Sequence, residues 1–230
     1  MKNKKKYIYS IITLTLISIG IFIGLTSASF SSKDVVTNKL QVGEILTQII
    51  EKDENKDDYK DKNVTTKNEE IIKEVYVKNP SRTDSLVRVS ISTRWVDPNN
   101  AARVLPIKDG DVALNIEEGI DNNINSNLNW YKGNDGYYYY KKILKGSGDI
   151  DGKDITDILL KSVKFNGDIS SYYSDMEFKV DVKVEAVETT RIKNNDGSLE
   201  YKYNYMWSNI KDSNLHVLLK ALVDSQYDEE

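Results

Sequence analysis

The sequence predicts an all-β protein of the sandwich type with one helix near its C-terminus. Apolar and polar residues alternate strictly over residues 176–186, and residues 86–95 repeat the same pattern. Such period-2 alternation places one face of a strand in a core and the other face in water. No long alternation of strands with helical segments is visible, which argues against a parallel α/β fold.

Five shorter tracts complete the predicted sheets, because they are rich in β-branched and aromatic residues. They cover residues 71–78, 111–116, 128–132, 137–144 and 158–165. The segment Gly133-Asn134-Asp135-Gly136 separates the third tract from the fourth, and its residues tolerate positive φ, so these two tracts are predicted to form a hairpin. The second strand of that hairpin begins with four consecutive tyrosines. Alternation predicts that two of them face the core margin and two lie on the surface.

Two tracts do not read as strands. Residues 51–62, EKDENKDDYKDK, are dense in mixed charge and lack apolar periodicity, which predicts a solvated loop. Residues 212–225 predict an amphipathic helix that begins at a cap formed by Asp212 or Ser213 and needs a sheet to cover. Its apolar positions at helical spacing are Leu215, Leu218, Leu219 and Leu222.

The first 28 residues predict a secretory signal peptide. The chain opens with MKNKKK and then runs without charge from Tyr7 through Phe30, which is the layout of an export signal. Thr26 and Ala28 supply small residues at the −3 and −1 positions, so cleavage is predicted between Ala28 and Ser29. The apolar run is also close to the roughly 20 residues that cross a bilayer, so an uncleaved membrane anchor is the alternative.

Composition excludes several classes of partner and site. Residues 1–28 contain four lysines and no acid, so cleavage would change the net charge from −4 to −8. A chain this acidic is not expected to bind nucleic acid, or to contact a membrane except through the uncleaved leader. The absence of cysteine from the sequence excludes disulfides, a thiol nucleophile and thiolate metal sites.

No set of residues typical of an enzyme stands out, and we predict no catalytic residue and no cofactor. His216 is the single histidine of the sequence and falls in the predicted helix, so an exported hydrolase or zinc protease lacks its usual base or ligand pair. Asp149, Asp151, Asp154 and Asp157 resemble a calcium loop only faintly, because the closing glutamate is missing. No metal site is predicted, although a weak calcium site over residues 149–157 is left open.

Several blocks of the sequence carry a resemblance to a known family. The junction GLTSASFSSKDVVTNKLQVG resembles the start of TasA/camelysin-type proteins, which are exported biofilm matrix subunits processed by a SipW-type signal peptidase. The matching positions are Gly24, Ala28, Phe30 and the pair Val42-Gly43. Four further blocks are similar, in the same order, to the clostridial BsaA-like branch of that family. These blocks are EVYVKNPSRTDSLVRVSISTRW, WYKGNDGYYYYKKIL, ILLKSVKFN and FKVDVKVEAVE.

The resemblance implies a jelly-roll β-sandwich that serves as a structural subunit of an extracellular fibre. It implies donor-strand complementation, in which the N-terminal strand freed by signal cleavage inserts into the next subunit. The expected organisation is a signal peptide over residues 1–28, a donor strand and lead-in over 29–43, and the jelly-roll domain over 44–230. Expected partners are further copies in a head-to-tail homopolymer, accessory matrix subunits and the signal peptidase. Some relatives carry a metalloprotease label, which this sequence, without a histidine-based metal motif, does not support.

Residues 29–37 have the features that such a donor strand requires. They offer nine backbone positions, with Phe30 and Val36 on one face, Val35 on the other, and Lys33 between them in sequence. A strand edge with unpaired backbone groups can accept this segment, and head-to-tail repetition of the contact generates a filament. The alternative is a monomeric, membrane-anchored surface adhesin that presents the tyrosine hairpin to a carbohydrate.

Overall fold

The prediction of an all-β fold with a short C-terminal helix is confirmed by the computed structural model, which describes residues 47–58, 69–117, 123–147, 152–166, 173, 176–207 and 210–227. Within these residues the strands are β1 (Gln48–Lys52), β2 (Glu70–Lys78), β3 (Ser85–Asp97), β4 (Asn100–Leu105), β5 (Val112–Ile116), β6 (Trp130–Lys132), β7 (Tyr138–Tyr140), β8 (Leu160–Phe165), β9 (Glu177–Glu188), β10 (Arg191–Lys193) and β11 (Leu199–Tyr201). The helices are α1 (Lys202–Met206) and α2 (Ser213–Ser225). The predicted signal peptide and the predicted donor strand with its lead-in lie outside the described residues.

The first sheet is antiparallel and has the strand order β1-β2-β8-β5. The residues that precede β8 also run alongside β2. Thr156 N–H donates to Val77 O, and Leu159 N–H donates to Val75 O. The inner strand β2 is therefore bonded on both sides along its C-terminal half.

The second sheet is built around β3, the longer of the two strands that strict alternation predicts. One side of β3 pairs with β9 from Ser85 opposite Glu188 to Val96 opposite Glu177. Its other side pairs with β7 and, further along, with β4, while β6 lies beyond β7. The predicted hairpin is confirmed as β6–β7, and Gly136 in its turn has φ of +84°, a conformation that favours glycine.

The two sheets share one hydrophobic cluster, so they pack against each other as the sandwich prediction requires. The first sheet contributes β2 and β8, and the second contributes β3, β6, β7 and β9. At one end of the cluster, Trp95 stacks on Tyr173 with ring centroids 4.5 Å apart and meets Phe178 edge-on at 5.0 Å. The inward positions of the alternating strands are the ones that fill this cluster: Val87, Val89, Trp95, Val182 and Val184.

A second hydrophobic cluster lies on the other face of the second sheet. We call the segment that covers this face the C-terminal cap; it consists of β10, β11, α1, α2 and the connecting residues Trp207 and Ile210. The sheet contributes four residues to this second cluster: Leu86, Tyr131, Tyr139 and Val187. The cap residues are Tyr201, Tyr203, Trp207, Ile210, Leu215, Leu219 and Val223. The predicted C-terminal helix and its sheet-covering role are thus confirmed.

Asp212 is the N-cap of α2, one of the two residues predicted for that position. Its carboxylate accepts hydrogen bonds from the N–H groups of Asn214 and Leu215. The hydroxyl of Tyr131 also donates to this carboxylate, which ties the start of the helix to β6. The other members of the cap, β10, β11 and α1, were not predicted from the sequence.

The prediction that two tyrosines of the hairpin lie on the surface is wrong. Tyr138 and Tyr140 belong to the cluster between the sheets, Tyr139 belongs to the second cluster, and Tyr137 is half-buried. Alternation does send neighbouring rings to opposite faces of the sheet, but the C-terminal cap covers the face that the pattern assigned to water.

Two strands, β1 and β4, fall in tracts that carry no strand pattern. The charged tract predicted as a loop begins inside β1, where Glu51 and Lys52 pair with β2. A turn follows, and Lys52 Nζ donates to Asp58 Oδ1 at 2.7 Å. Both strands lie at the margin of a sheet, so neither requires an apolar row to form.

Candidate functional site

The described parts of the two sheets end in five outer strands, and these edges are the candidate sites for contact with another chain. They are β1 and β5 in the first sheet, and β4, β6 and β9 in the second. An outer strand presents N–H and C=O groups to which a strand from another molecule can add. Natural proteins limit such addition with charged residues, proline or bulges on the edge.

The longest of these edges, β9, is heavily charged. Its solvent-side row alternates in sign and forms ion pairs within the sheet, including Lys183 Nζ to Glu185 Oε1 at 2.8 Å and Lys179 Nζ to Glu177 Oε2 at 2.6 Å. Arg94 on β3 pairs with Asp181 on the same row. A strand that docks here has to accommodate charges on every second residue.

Three of the remaining outer strands also carry charge. β1 contains Glu51 and Lys52, β4 contains Arg103, and β6 contains Lys132. At the start of β6, the carboxylate of Glu117 accepts hydrogen bonds from the N–H groups of Asn129 and Trp130 at 3.4 and 3.2 Å. Each of these edges therefore has one of the features that disfavour strand addition.

The edge strand β5, with the sequence VALNI, contains no charged residue. Val112, Leu114 and Ile116 face the cluster between the sheets but remain half-exposed, whereas Ala113 and Asn115 are exposed. The three half-exposed side chains form a row at the margin of the sandwich.

Two residues of β5 direct their backbone N–H and C=O groups to the outer side of the sheet. At the end of the neighbouring strand β8, Phe165 N–H donates to Glu69 O on the β2 side, and N–H of the next residue, Asn166, donates to Asp111 O on the β5 side. Because an antiparallel ladder alternates in direction, Ala113 and Asn115 bond to β8. The N–H and C=O groups of Val112 and Leu114 point away from β8, and no described residue bonds to them.

A second notable group of side chains centres on Arg88, which lies on β3 beneath the C-terminal cap and is only 6% exposed. Its Nε and Nη2 atoms donate to Glu185 Oε2 at 2.9 and 2.6 Å, and Nη1 donates to the hydroxyl of Tyr139 at 3.0 Å. The guanidinium lies 4.0 Å from the ring centroid of Tyr137 and 5.0 Å from that of Trp207. These contacts join the sheet, the tyrosine hairpin and the cap.

The charges of this group are held in their ionised forms. Burial raises the pKa of Glu185, but hydrogen bonds from Lys183 and Arg88 outweigh burial and lower the pKa to about 2. Burial and the hydrogen bond to Asp135 raise the pKa of Tyr139, so its hydroxyl remains a donor at neutral pH. The group has the character of a structural connection, because each polar atom already serves a neighbour within the chain.

The tyrosine hairpin does not present a row of exposed rings. Tyr138, Tyr139 and Tyr140 are 9%, 0% and 5% exposed, and the ring of Tyr137 contacts Arg88. Carbohydrate-binding platforms need an accessible aromatic face. Three of the four rings that the adhesin alternative would present are therefore covered by the protein itself.

In the part of the chain that the structure describes, no group of three or more histidine, cysteine or acidic residues could hold a metal ion. His216 lies in α2 with Nε2 3.1 Å from Ile210 O. In the acidic loop, Asp154 lies 3.8 Å from Lys78 and Asp157 accepts from the Tyr140 hydroxyl, while Asp149 and Asp151 are outside the described residues.

The predicted assembly residues also fall outside the described ranges. They are Ala28, Ser29, Phe30, Lys33, Val35 and Val36. As to a membrane anchor, α2 has 13 residues, and none of the helices among the described residues has the length and apolar content of a membrane span.

The edge position of β5 is not predicted from the sequence. A signal was present, because VALNI is an uncharged strand in a chain that is 30% charged. Its position at the margin of a sheet, which gives that signal its meaning, follows only from the topology.

Comparison of the chain with protein-family models, with curated proteins and with solved structures finds no match.

Proposed function

We infer that the protein is a secreted structural subunit of extracellular biofilm matrix fibres, built on a jelly-roll domain and not an enzyme. Subunits join when residues 29–37 of one copy add as a strand to the next. The observation that carries this proposal is the junction at Ala28, where a leader of the secretory type ends and a strand-like segment begins directly. Two antiparallel sheets with outer strands give such a segment somewhere to bind.

Physical chemistry links cleavage to assembly. While the leader is attached, residues 29–37 continue from an apolar segment that is held by the membrane, so they cannot enter a neighbouring subunit. Cleavage after Ala28 frees them. Because the donated strand and the accepting edge are different surfaces, each added subunit carries a new free donor, and the contact repeats without closing. The chain has no cysteine, so the joint relies on backbone hydrogen bonds and apolar burial.

Electron microscopy of the processed, purified protein tests this proposal. The protein that begins at Ser29 is expected to form fibres, and a variant that begins at Thr37 is expected to stay monomeric. Normal fibres from the shorter variant would show that residues 29–37 are not the donor.

The identity of the first residue separates the fibre from the adhesin alternative. Sequencing from the N-terminus is expected to give Ser29 for protein recovered from the extracellular matrix. Recovery of the chain with Met1 intact, in washed membranes and without fibres, would instead support an anchored monomer.

A further inference from the structure

We propose that the outer edge of β5 is the acceptor for residues 29–37 of a second copy of this chain. The inference rests on the proposed function and assigns the surface on which it depends. Three properties of β5 carry it: the lack of charge, the half-exposed apolar row, and the direction of its backbone groups.

The lack of charge distinguishes β5 from the other outer strands of the described sheets. A strand that has to remain unpaired in a secreted, soluble subunit is expected to carry a charge or a proline that blocks edge-to-edge pairing. The strands β1, β4, β6 and β9 each contain at least one charged residue, whereas β5 contains none. An edge strand without charge or proline is expected where pairing with a strand of another molecule is the function.

The apolar row of β5 offers a surface for two side chains of the donor, Phe30 and Val36. Val112, Leu114 and Ile116 face the cluster between the sheets and are only half-buried. In an added strand whose Phe30 and Val36 point to the same side, these two side chains would extend that row, with Ser32 and Asp34 between them on the same face. The side chains of Ser31, Lys33 and Val35 would then point to the solvent side, beside exposed Ala113.

The backbone of β5 offers two donors and two acceptors to the incoming strand. These are the N–H and C=O groups of Val112 and Leu114, which face away from β8. A segment of nine residues is about 30 Å long in extended form, and the five residues of β5 span about 17 Å, so the donor covers the whole edge.

Acidic residues stand at both ends of β5. Asp111 precedes the strand and Glu117 follows it. Signal cleavage would give Ser29 a free α-amino group, whose ordinary pKa of about 7.7 to 8.0 leaves it largely protonated at pH 7. The new positive charge would therefore face an acidic residue in either orientation of an added strand whose first residue lies at an end of β5.

Disulfide trapping tests the contact directly, because the natural chain contains no cysteine. Ala113→Cys is combined with Ser31→Cys or Lys33→Cys in the processed protein, and fibres are grown under reducing conditions and then oxidised. Side chains on the same face of adjacent strands lie about 4.5 to 5.5 Å apart at Cβ, within reach of a disulfide after small adjustment. We expect a ladder of covalent oligomers on non-reducing gels, which reductant abolishes.

The matched control uses a second exposed alanine on an outer strand, Ala102 of β4. Ala102→Cys with the same donor cysteines is expected to give no ladder, and so is Ala113→Cys with Ser32→Cys, whose side chain points to the opposite face. Ala113→Cys alone is expected to remain uncross-linked. A dimer from that single variant would show that two β5 strands pair with each other, and it would overturn the proposal.

The outcomes separate this inference from the function on which it rests. If fibres require residues 29–37 but no ladder forms through Ala113, the acceptor is another edge and the β5 assignment fails. If fibres grow normally without residues 29–37, the proposed function fails as well.

A second pair of variants checks the edge without oxidation. Leu114→Lys places a charge in the apolar row of β5, and Val180→Lys does the same on the outer strand β9, where Val180 is also half-buried against the cluster between the sheets. We expect Leu114→Lys to reduce the rate of fibre growth at least tenfold and Val180→Lys to leave it within about twofold of the natural rate. Circular dichroism checks that both variants are folded, and equal growth rates in the folded variants would contradict the assignment.

Discussion

At the residue scale, Arg88 shows how an outward-facing charge can become part of a core. Its position on β3 alternates with Val87 and Val89, so the pattern assigns it to solvent. The C-terminal cap covers that face, and burial of a guanidinium is tolerable only if its donors are satisfied. Glu185 and the hydroxyl of Tyr139 satisfy them, with Trp207 and Tyr137 against the guanidinium faces.

Arg88→Met is therefore expected to lower the free energy of unfolding by about 3 kcal/mol, because it leaves Glu185 buried with one partner fewer. Arg94→Met is the matched control on the same strand. Arg94 pairs with Asp181, but both side chains are more than 40% exposed, so its loss should cost less than about 1 kcal/mol. Urea denaturation of the two variants measures the difference, and equal losses would show that the contacts of Arg88 add no stability.

The lowered pKa of Glu185 predicts that acid weakens the contacts between Glu185 and Arg88. Although burial acts in the opposite direction, hydrogen bonds from Lys183 and Arg88 lower the pKa of Glu185 from 4.5 to about 2 in the folded protein. A carboxylate with a lowered folded-state pKa contributes stability that is present above its unfolded pKa and is lost as the pH falls towards the folded value. The contribution of Glu185 should therefore decline between about pH 5 and pH 2.

The measurement is the free energy of unfolding of the natural protein and of Glu185→Gln across that pH range. The difference between them should be largest at pH 7, on the order of 3 kcal/mol or less, and should shrink towards pH 2. A difference that stays constant with pH would mean that the charge of Glu185 does not stabilise the folded state.

At the element scale, the tyrosine strand β7 belongs to two cores at once. We expect Tyr138→Ala with Tyr140→Ala to unfold the domain, because it removes two buried aromatic rings at about 3 to 5 kcal/mol for each fully buried ring. Tyr137→Ala with Tyr139→Ala should unfold it as well, because it removes the buried ring of Tyr139 and the half-buried ring that contacts Arg88. Thermal unfolding followed by circular dichroism tests this. Survival of either double variant with an unchanged melting temperature would mean that one face of β7 is not packed.

A milder pair of changes in β7 separates packing from hydrogen bonding. Tyr139→Phe removes a hydroxyl that donates to Asp135 at 2.7 Å and accepts from Arg88, so a loss of about 1 to 2 kcal/mol is expected. Tyr138→Phe keeps the ring, and no described partner of its hydroxyl is lost, so it serves as the control with a smaller effect. Chemical denaturation resolves the two, and equal effects would contradict the role given to the Tyr139 hydroxyl.

The elements that the sequence predicts well are those with one apolar and one polar face. The alternation in β3 and β9 identifies both strands and their inward residues, and helical spacing identifies α2. The C-terminal cap could not be predicted in the same way, because β10, β11 and α1 are short. Their positions depend on apolar residues on the outer face of the second sheet, namely Leu86, Tyr131, Tyr139 and Val187. In the sequence, these apolar residues interrupt the alternation of apolar and polar positions. Only the pairing of the strands shows that they form one surface.

At the scale of the whole molecule, the sheets of this cysteine-free chain are joined to their surroundings by tyrosine hydroxyls bonded to carboxylates. Tyr140 donates to Asp157 at 2.8 Å, Tyr173 to Asp111 at 3.0 Å, and Tyr131 to Asp212. Hydrogen bonds to charged groups contribute more than neutral ones, about 1.5 to 3 kcal/mol. These hydrogen bonds connect residues that are far apart in the sequence and, unlike disulfides, need no oxidant to form.

The candidate site divides between what the sequence predicts and what the topology adds. A donor segment can be predicted from residues 26–43, because a cleavage motif and a strand pattern are both local. An acceptor edge cannot, because it depends on which strand lies outermost, and that is decided by pairings such as Leu114 with Val163 on β8.

Phe30 connects the predicted donor segment with the proposed acceptor edge. Burial of a phenylalanine side chain contributes roughly 1.5 to 3 kcal/mol, and each 1.4 kcal/mol is about tenfold in affinity. In the proposed fibre, Phe30→Ala should therefore weaken or slow fibre formation about ten- to a hundredfold, while the melting temperature of the subunit stays unchanged, because the donated side chain would pack in a neighbour. Val36→Pro should impair growth further, since proline removes a ladder donor inside the added strand. Light scattering during assembly measures both variants, and a Phe30→Ala protein that loses folding stability instead of assembly would place Phe30 in its own subunit's core.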